Sequence, residues 1–192
     1  VEVEIAPDGE LLLRGETVFA KYFENAEASN DAFDERGFYR TGDIGFRDAE
    51  GFVTLTDRKT ERIVTSYGRD IAPRKLEDRL RSCQIISNAL VHGDGRTHLV
   101  ALLTPDRKAL SAILPELGER PLDDTTLLDL FEAEVASVNK TLPRFERVRR
   151  FRLIEPDFSE KGGELSPTLK LRRRIIEERY RHILDELYEM DR

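Results

Sequence analysis

The sequence predicts an α+β fold on three observations. Short apolar runs (VEVEI, LLLRG, ISNALVHG, HLVALLTPD) are bounded by turn signals such as PDGE, DAEG and DGR, which marks strands. Other stretches carry apolar residues every three or four positions, the longest over 125–141, which marks amphipathic helices. Hydrophobic residues make up 39% of the 192 and charged residues 36%, enough apolar side chains for a core beneath a heavily charged surface.

Residues 1–23 read as β, with VEVEI and LLLRG flanking the PDGE turn. Residues 24–36 read as a helix. The stretch 39–78, YRTGDIGFRDAEGFVTLTDRKTERIVTSYGRDIAPRKLED, packs two strand-like runs, several turns and a charged joint into one segment. In it Gly42 and Gly45 bracket Asp43 and Ile44. Glycine makes a tight turn easy, and such a turn holds Asp43 at a strand end with its carboxylate exposed. Two acceptor oxygens suit a vicinal diol such as a ribose; the plainer alternative is that Asp43 caps its own turn. DAEG at 48–51 is a hairpin signal, followed by the β-prone Phe52, Val53 and Leu55. Five of the six residues of DRKTER, 57–62, are charged, so this joint is a solvated turn or a hinge.

The rest of the chain reads as a strand at 61–66, a turn at Tyr67 and Gly68, and a helix at about 74–82 opened by Pro73. Strands at 86–93 and 98–106 make a hairpin to pack against that helix. A helix at 106–113 ends near Pro115, and 119–124 is a loop. The helix at 125–141 presents Leu127, Leu130, Phe131, Val135 and Val138 on one side. A strand at 145–154 has basic residues alternating outward. A polar glycine-rich loop, 159–167, precedes a closing helix at 168–189 striped by Ile176, Tyr180, Ile183, Leu184 and Leu187. Lys170, at the exit of that loop, is either a cation on a mobile element able to reach a phosphate or carboxylate, or one more surface charge beside Arg172, Arg173 and Arg174.

A net charge of −7 argues against a nucleic-acid partner held by phosphate neutralisation. No apolar run spans a bilayer, no signal peptide is visible, and the lone Cys83 fits a reducing, cytoplasmic compartment. His92, His98 and His182 lie in unlike contexts and read as structural or surface residues, with no metal site expected. Glu177 and Glu178, among arginines, read as solvated ion pairs.

YRTGD, the hairpin after it and DRKTERIVTSYGRDIAPRKLED resemble the junction between the two domains of adenylate-forming enzymes: acyl-CoA synthetases, peptide-synthetase adenylation domains and firefly luciferase. The DRK and IAPRKLE segments are most similar to long-chain fatty acid–CoA ligases. ELSPTLKLRRRIIEERY at 164–180 resembles the C-terminal lysine motif of that subfamily, and two motifs in the right order are far more specific than either alone.

The resemblance implies an α+β architecture: a β-rich end of a large N-terminal AMP-binding domain over 1–56, and a mobile C-terminal α/β domain over 57–192 with its hinge at 57–60. It implies that Asp43 and Arg58 contact the AMP ribose, that Asp57 and Lys59 belong to the hinge, and that Lys170 bridges the acyl carboxylate and the ATP phosphates. Charged, exposed hinge residues suit a swing because they bury nothing that locks one pose. Gly68 falls in the turn lining the pantetheine tunnel. The family commonly has two glycines there; this chain has Tyr67, which narrows the tunnel or stacks on the ligand. ATP, CoA and Mg²⁺ are the implied cofactors, and fatty acid, ATP and CoA reach the site through the upstream domain. That domain's phosphate loop, adenine pocket and acyl tunnel are absent from these residues, so the polypeptide alone is expected to be inactive. The other reading is a non-catalytic interaction module, or a binder of anionic surfaces including the periphery of a membrane, through the basic residues at 147–152 and 172–174.

Overall fold

The computed structural model describes residues 1–189, and the chain divides into two compact units, Val1–Arg62 and Ile63–Arg192. The fourth strand runs on through Arg58, so residues 57 and 58 are sheet residues of the first unit.

The first unit is an antiparallel meander of β1 (Glu2–Ile5), β2 (Glu10–Arg14), β3 (Tyr39–Arg47) and β4 (Val53–Arg58), in that order. Its small core holds Leu11, Leu12, Ala32, Phe38 and Ile44. The hairpin at 48–51 closes as its sequence suggests: Phe52 N–H donates to Asp48 Oδ1 at 2.8 Å and Gly51 takes φ +92°. The expected helix at 24–36 shrinks to α1 (Ala26–Ala32). Asn25 caps its start, and Asp34 Oδ1 accepts the N–H groups of Arg36 and Phe38, drawing the chain into a turn where the helix would have continued.

The second unit begins with a short hairpin of β5 (Ile63–Val64) and β6 (Asp70–Ile71). The strand expected over 61–66 stops at Val64 because Gly68 N–H returns to Thr65 O. After α2 (Pro73–Arg81) comes a three-stranded sheet of β7 (Ile86–His92), β8 (Leu99–Pro105) and β9 (Val148–Leu153). β7 and β8 pair antiparallel. β9 pairs parallel to β8 after a crossover through α3 (Arg107–Ile113) and α4 (Thr125–Lys140).

Every residue of β8 is buried because the sheet is covered on both faces, and this is why LVALLTP reads as an unbroken apolar run. Ala89, Val91, Ala101 and Leu103 pack with Leu76 and Leu80 of α2 and with Leu127, Phe131 and Val135 of α4. Leu90, Val100 and Leu102 pack with Phe158, Ile176, Leu184 and Leu187.

Basic residues do not alternate regularly along β9. The register slips between Leu99↔Val148 and Val100↔Arg150, so Arg149 is an extra residue and the alternation breaks at that bulge. The closing helix is not continuous over 168–189. It begins at 173 and is split into α5 (Arg173–Arg179) and α6 (Arg181–Glu189) at Tyr180, whose ring lies 6.3 Å from that of Phe158.

Candidate functional site

The first group of candidates sits on adjacent strands of the first unit. Asp43 of β3 lies opposite Arg58 of β4, and Arg58 Nε is 2.9 Å from Asp43 Oδ1. Arg58 Nη1 also donates to Thr41 O at 3.1 Å. The carboxylate thus meets a guanidinium instead of capping its own turn.

The expected tight turn at 42–45 is not a turn: both glycines lie inside β3, where the strand is irregular. Glu10 stands opposite Ile44 and Leu12 opposite Arg40, so residues 41–43 bulge against Leu11 alone. Gly42 takes φ +69° there. The N–H groups displaced from the ladder find local acceptors: Glu10 Oε1 takes Gly42 N–H at 3.0 Å, and Thr41 Oγ1 takes Asp43 N–H at 3.0 Å. Gly45 is required for another reason, since a Cβ there would come 2.5 Å from Thr54 O.

Lys59 departs from the picture of an uncommitted hinge cation. Its Nζ lies 2.6 Å from Asp8 Oδ2 and 2.9 Å from Glu10 Oε2. The hydrogen bonds that Lys59 donates to Asp8 and Glu10 raise the Lys59 pKa, and the Lys59 hydrogen bond, with that of Glu10 N–H, holds the Asp8 carboxyl below its usual range. Asp57 is placed as a backbone residue of β4, opposite Ile44. Glu10 and Asp8 went unread in the sequence. PDGE announces only a turn, and nothing local marks a glutamate that becomes 5% exposed.

The second group lies in the other unit. Tyr67 is 74% exposed at the tip of the β5–β6 hairpin, and Gly68 takes φ +70° with open space where a Cβ would be. This hairpin is tied to the β7–β8 turn: Ser66 N–H donates to Arg96 O, Gly95 N–H to Val64 O, and Val64 N–H to Asp94 Oδ1.

Lys170 is exposed, but not on the flexible loop expected from GG at 162–163. Ser166 N–H donates to Lys170 O at 2.8 Å, Lys170 N–H returns to Ser166 Oγ at 3.1 Å, and Leu165 bridges Leu171. Buried Glu164 pairs with Arg179 and accepts Ser159 N–H. Leu169 takes φ +58° at the tip. The lysine therefore projects from a braced turn.

Asp157 anchors the start of this segment to β7 and β8. Burial raises its pKa, but hydrogen bonds from Ser87 Oγ (2.5 Å), Thr104 Oγ1 (2.5 Å), Asn88 Nδ2 (2.9 Å) and Phe158 N–H (2.8 Å) outweigh that and hold the carboxyl below 3.8. A depressed folded pKa contributes stability that is complete above the unfolded value and lost as pH falls through the folded one. Asp157→Asn is therefore expected to be less stable than wild type at neutral pH, with the gap closing below about pH 4 as the wild-type carboxyl protonates. Urea midpoints at pH 7 and pH 3 check this; a gap that does not narrow refutes it.

Arg172–Arg174 do not form a uniform cationic face, because Arg173 pairs with buried Glu77 at 2.6 Å. Glu177 meets His92 at 2.9 Å rather than a neighbouring arginine, and the His98 ring packs 4.9 Å from that of Tyr188. Burial, with a hydrogen bond to Glu134, pushes the Cys83 thiol up to about 11, so it is no nucleophile at neutral pH. Among the described residues no group of three or more His, Cys, Asp or Glu could hold a metal ion. The Mg²⁺ implied by the resemblance therefore finds no ligand set among them. No helix among the described residues is long and apolar enough to cross a membrane.

Comparison with known proteins places these features in context. The chain is 37% identical over 194 residues to the long-chain-fatty-acid–CoA ligase FadD15 of Mycobacterium tuberculosis, a match covering 97% of this chain and 32% of that protein. It is 33% identical to the human long-chain-fatty-acid–CoA ligase ACSBG1, covering 94% of this chain and 28% of the relative. The chain thus spans about a third of the length of these curated relatives.

Among solved structures, the adenylation domain of the carboxylate reductase from Mycobacterium chelonae superposes with a TM-score of 0.79 at 29% identity, over 94% of this chain and 28% of that one. The A domain of the carboxylic acid reductase from Segniliparus rugosus superposes with a TM-score of 0.84 at 24% identity, over 100% of this chain and 31% of that one, and shows the shared α+β fold. The model of the AMP-binding enzyme C-terminal domain matches residues 60–192. This chain belongs to that family, the AMP-binding enzyme C-terminal domains.

Proposed function

We propose that the chain is the C-terminal part of an ATP-dependent long-chain fatty acid–CoA ligase. The observation that carries this reading is the similarity to fatty-acid–CoA ligases along 97% of the chain. The geometry agrees with it: a carboxylate–guanidinium pair on neighbouring strands in one unit, and a braced, solvent-facing lysine in the other.

In the first step a fatty carboxylate oxygen attacks the α-phosphorus of ATP, forming the acyl-adenylate and releasing pyrophosphate. Lys170 neutralises charge that develops on the carboxylate and phosphates, where a fixed cation is most effective. Asp43 accepts hydrogen bonds from the ribose hydroxyls, and Arg58 holds Asp43 and contacts the same sugar. In the second step the CoA thiol attacks the acyl carbonyl and AMP leaves. Residues 57–60 serve as the hinge about which the smaller domain exchanges the Lys170 face for the Tyr67–Gly68 face between steps. Phosphate loop, adenine pocket and acyl tunnel belong to the parent's upstream domain.

ATP–pyrophosphate exchange with a panel of fatty acids tests this. Exchange is expected from the full-length parent and not from the 192 residues alone. Exchange by the isolated chain refutes its inactivity; no exchange by the parent with any acid refutes the ligase reading.

A further inference from the structure

We propose that Glu10 is a positioning residue for the adenylate-forming reaction, one buried carboxylate that braces the Asp43 bulge with one oxygen and the linker lysine Lys59 with the other. The proposal rests on the reading of Asp43 as the ribose seat and of 57–60 as the hinge.

Glu10 opens β2 and is 5% exposed. Its Oε1 accepts Gly42 N–H at 3.0 Å, and its Oε2 accepts from Lys59 Nζ at 2.9 Å. The first contact has a definite structural task. Residues 41–43 face only Leu11 across the ladder, so Gly42 N–H has no strand acceptor, and the Glu10 carboxylate replaces it. The next residue is Asp43, so the brace on Gly42 sets where the ribose carboxylate points.

The second contact makes the first tolerable. A carboxylate this deep is costly unless a cation compensates it, and Lys59 is the cation. Asp8 holds that lysine from the solvent side, with Oδ2 at 2.6 Å from Nζ, while its Oδ1 accepts Glu10 N–H at 3.1 Å.

The two contacts share one side chain, so they cannot vary independently. Any movement of the linker that withdraws Lys59 leaves a buried charge beside Gly42 and loosens the seat of Asp43. By linkage, nucleotide on Asp43 favours the linker position in which Lys59 stays paired. Glu10 thus ties nucleotide occupancy to the hinge, with no contact of its own to substrate.

The test uses the full-length enzyme and four variants: Glu10→Ala, Lys59→Met, the double variant and Lys59→Arg. KM for ATP and kcat are read from pyrophosphate exchange, alongside melting temperature. Glu10→Ala and Lys59→Met are each expected to raise KM for ATP about tenfold with kcat within about twofold, the loss of the shared brace. The double variant is expected to do no worse than the larger single effect, because both remove the same brace. Lys59→Arg keeps the charge and is expected to restore KM to near wild type.

Additive effects, or an unchanged KM in Lys59→Met, overturn the role of Glu10 while wild-type exchange leaves the ligase reading standing. If Glu10→Ala does not fold, the Lys59→Met and Lys59→Arg pair decides the matter, since the Lys59 side chain is 41% exposed and Lys59→Arg keeps a cation on Glu10. Absence of exchange in the wild type overturns the ligase reading and this inference with it.

Discussion

Lys170→Ala in the full-length enzyme is expected to lower ATP–pyrophosphate exchange by about two to three orders of magnitude, the effect of removing one preorganised charge from a transition state. The melting temperature is expected to stay at the wild-type value. The two contacts that Lys170 makes in the turn run through its backbone, to Ser166 N–H and to Ser166 Oγ, so truncating the side chain leaves the turn intact. Activity and stability should therefore separate cleanly. Lys170→Arg is not expected to rescue exchange, because a planar fork cannot replace a compact ammonium at the same reach. Thioester formation from supplied acyl-adenylate is expected to continue in Lys170→Ala, since the proposed role of the lysine is in the first step. Exchange at the wild-type rate in Lys170→Ala would refute the adenylation role and leave the 164–174 segment as a docking surface.

The β7–β8 hairpin and α4 of the second unit were legible because their burial is local in sequence. LVALLTP is apolar throughout as a strand covered on both faces must be, and α4 shows Leu127, Phe131 and Val135 at helical spacing. What escaped was set by contacts between distant residues. The bulge that aims Asp43 depends on Glu10, more than thirty positions away, and Gly42-Asp43-Ile44-Gly45 on its own looks like a turn.

GG at 162–163 suggests mobility, yet Glu164 next to it is buried on Arg179, which no local pattern marks. Likewise RRR at 172–174 reads as a surface until Glu77, about a hundred positions earlier, takes the middle arginine inward. The chemical roles proposed for Asp43, Arg58 and Lys170 rest on motif resemblance. Composition and spacing alone left Asp43 and Lys170 each with a plainer alternative.

That middle arginine gives the largest stability effect expected in the chain. β7 is an edge strand, and its Val91 presents both backbone groups to the side away from β8. Glu77 Oε1 accepts Val91 N–H at 2.8 Å, Arg173 Nη1 donates to Val91 O at 2.7 Å, and Arg173 Nη2 closes the circuit on Glu77 Oε1 at 2.6 Å. The pair thus does what an additional strand would do at this position, satisfying an open edge and blocking its pairing with another chain. The Glu77 and Arg173 side chains are 5% and 13% exposed, so each charge depends on the other.

Arg173→Met is expected to destabilise the chain by about 3–5 kcal/mol, because it leaves the Glu77 carboxylate buried without its guanidinium. Glu77→Gln is expected to cost less, about 1–3 kcal/mol, since the amide oxygen still accepts from Val91 while the charge is lost. The double replacement Glu77→Gln with Arg173→Met should then be milder than the sum of the two, as the stranded charge disappears. Urea unfolding of the 192-residue chain at neutral pH measures all three. Because Arg173 opens α5 only three residues after Lys170, the same substitution should also weaken exchange in the full-length enzyme, and in step with its loss of stability. An Arg173→Met variant as stable as wild type would show that the edge of β7 is held by packing alone and that the ion pair is incidental.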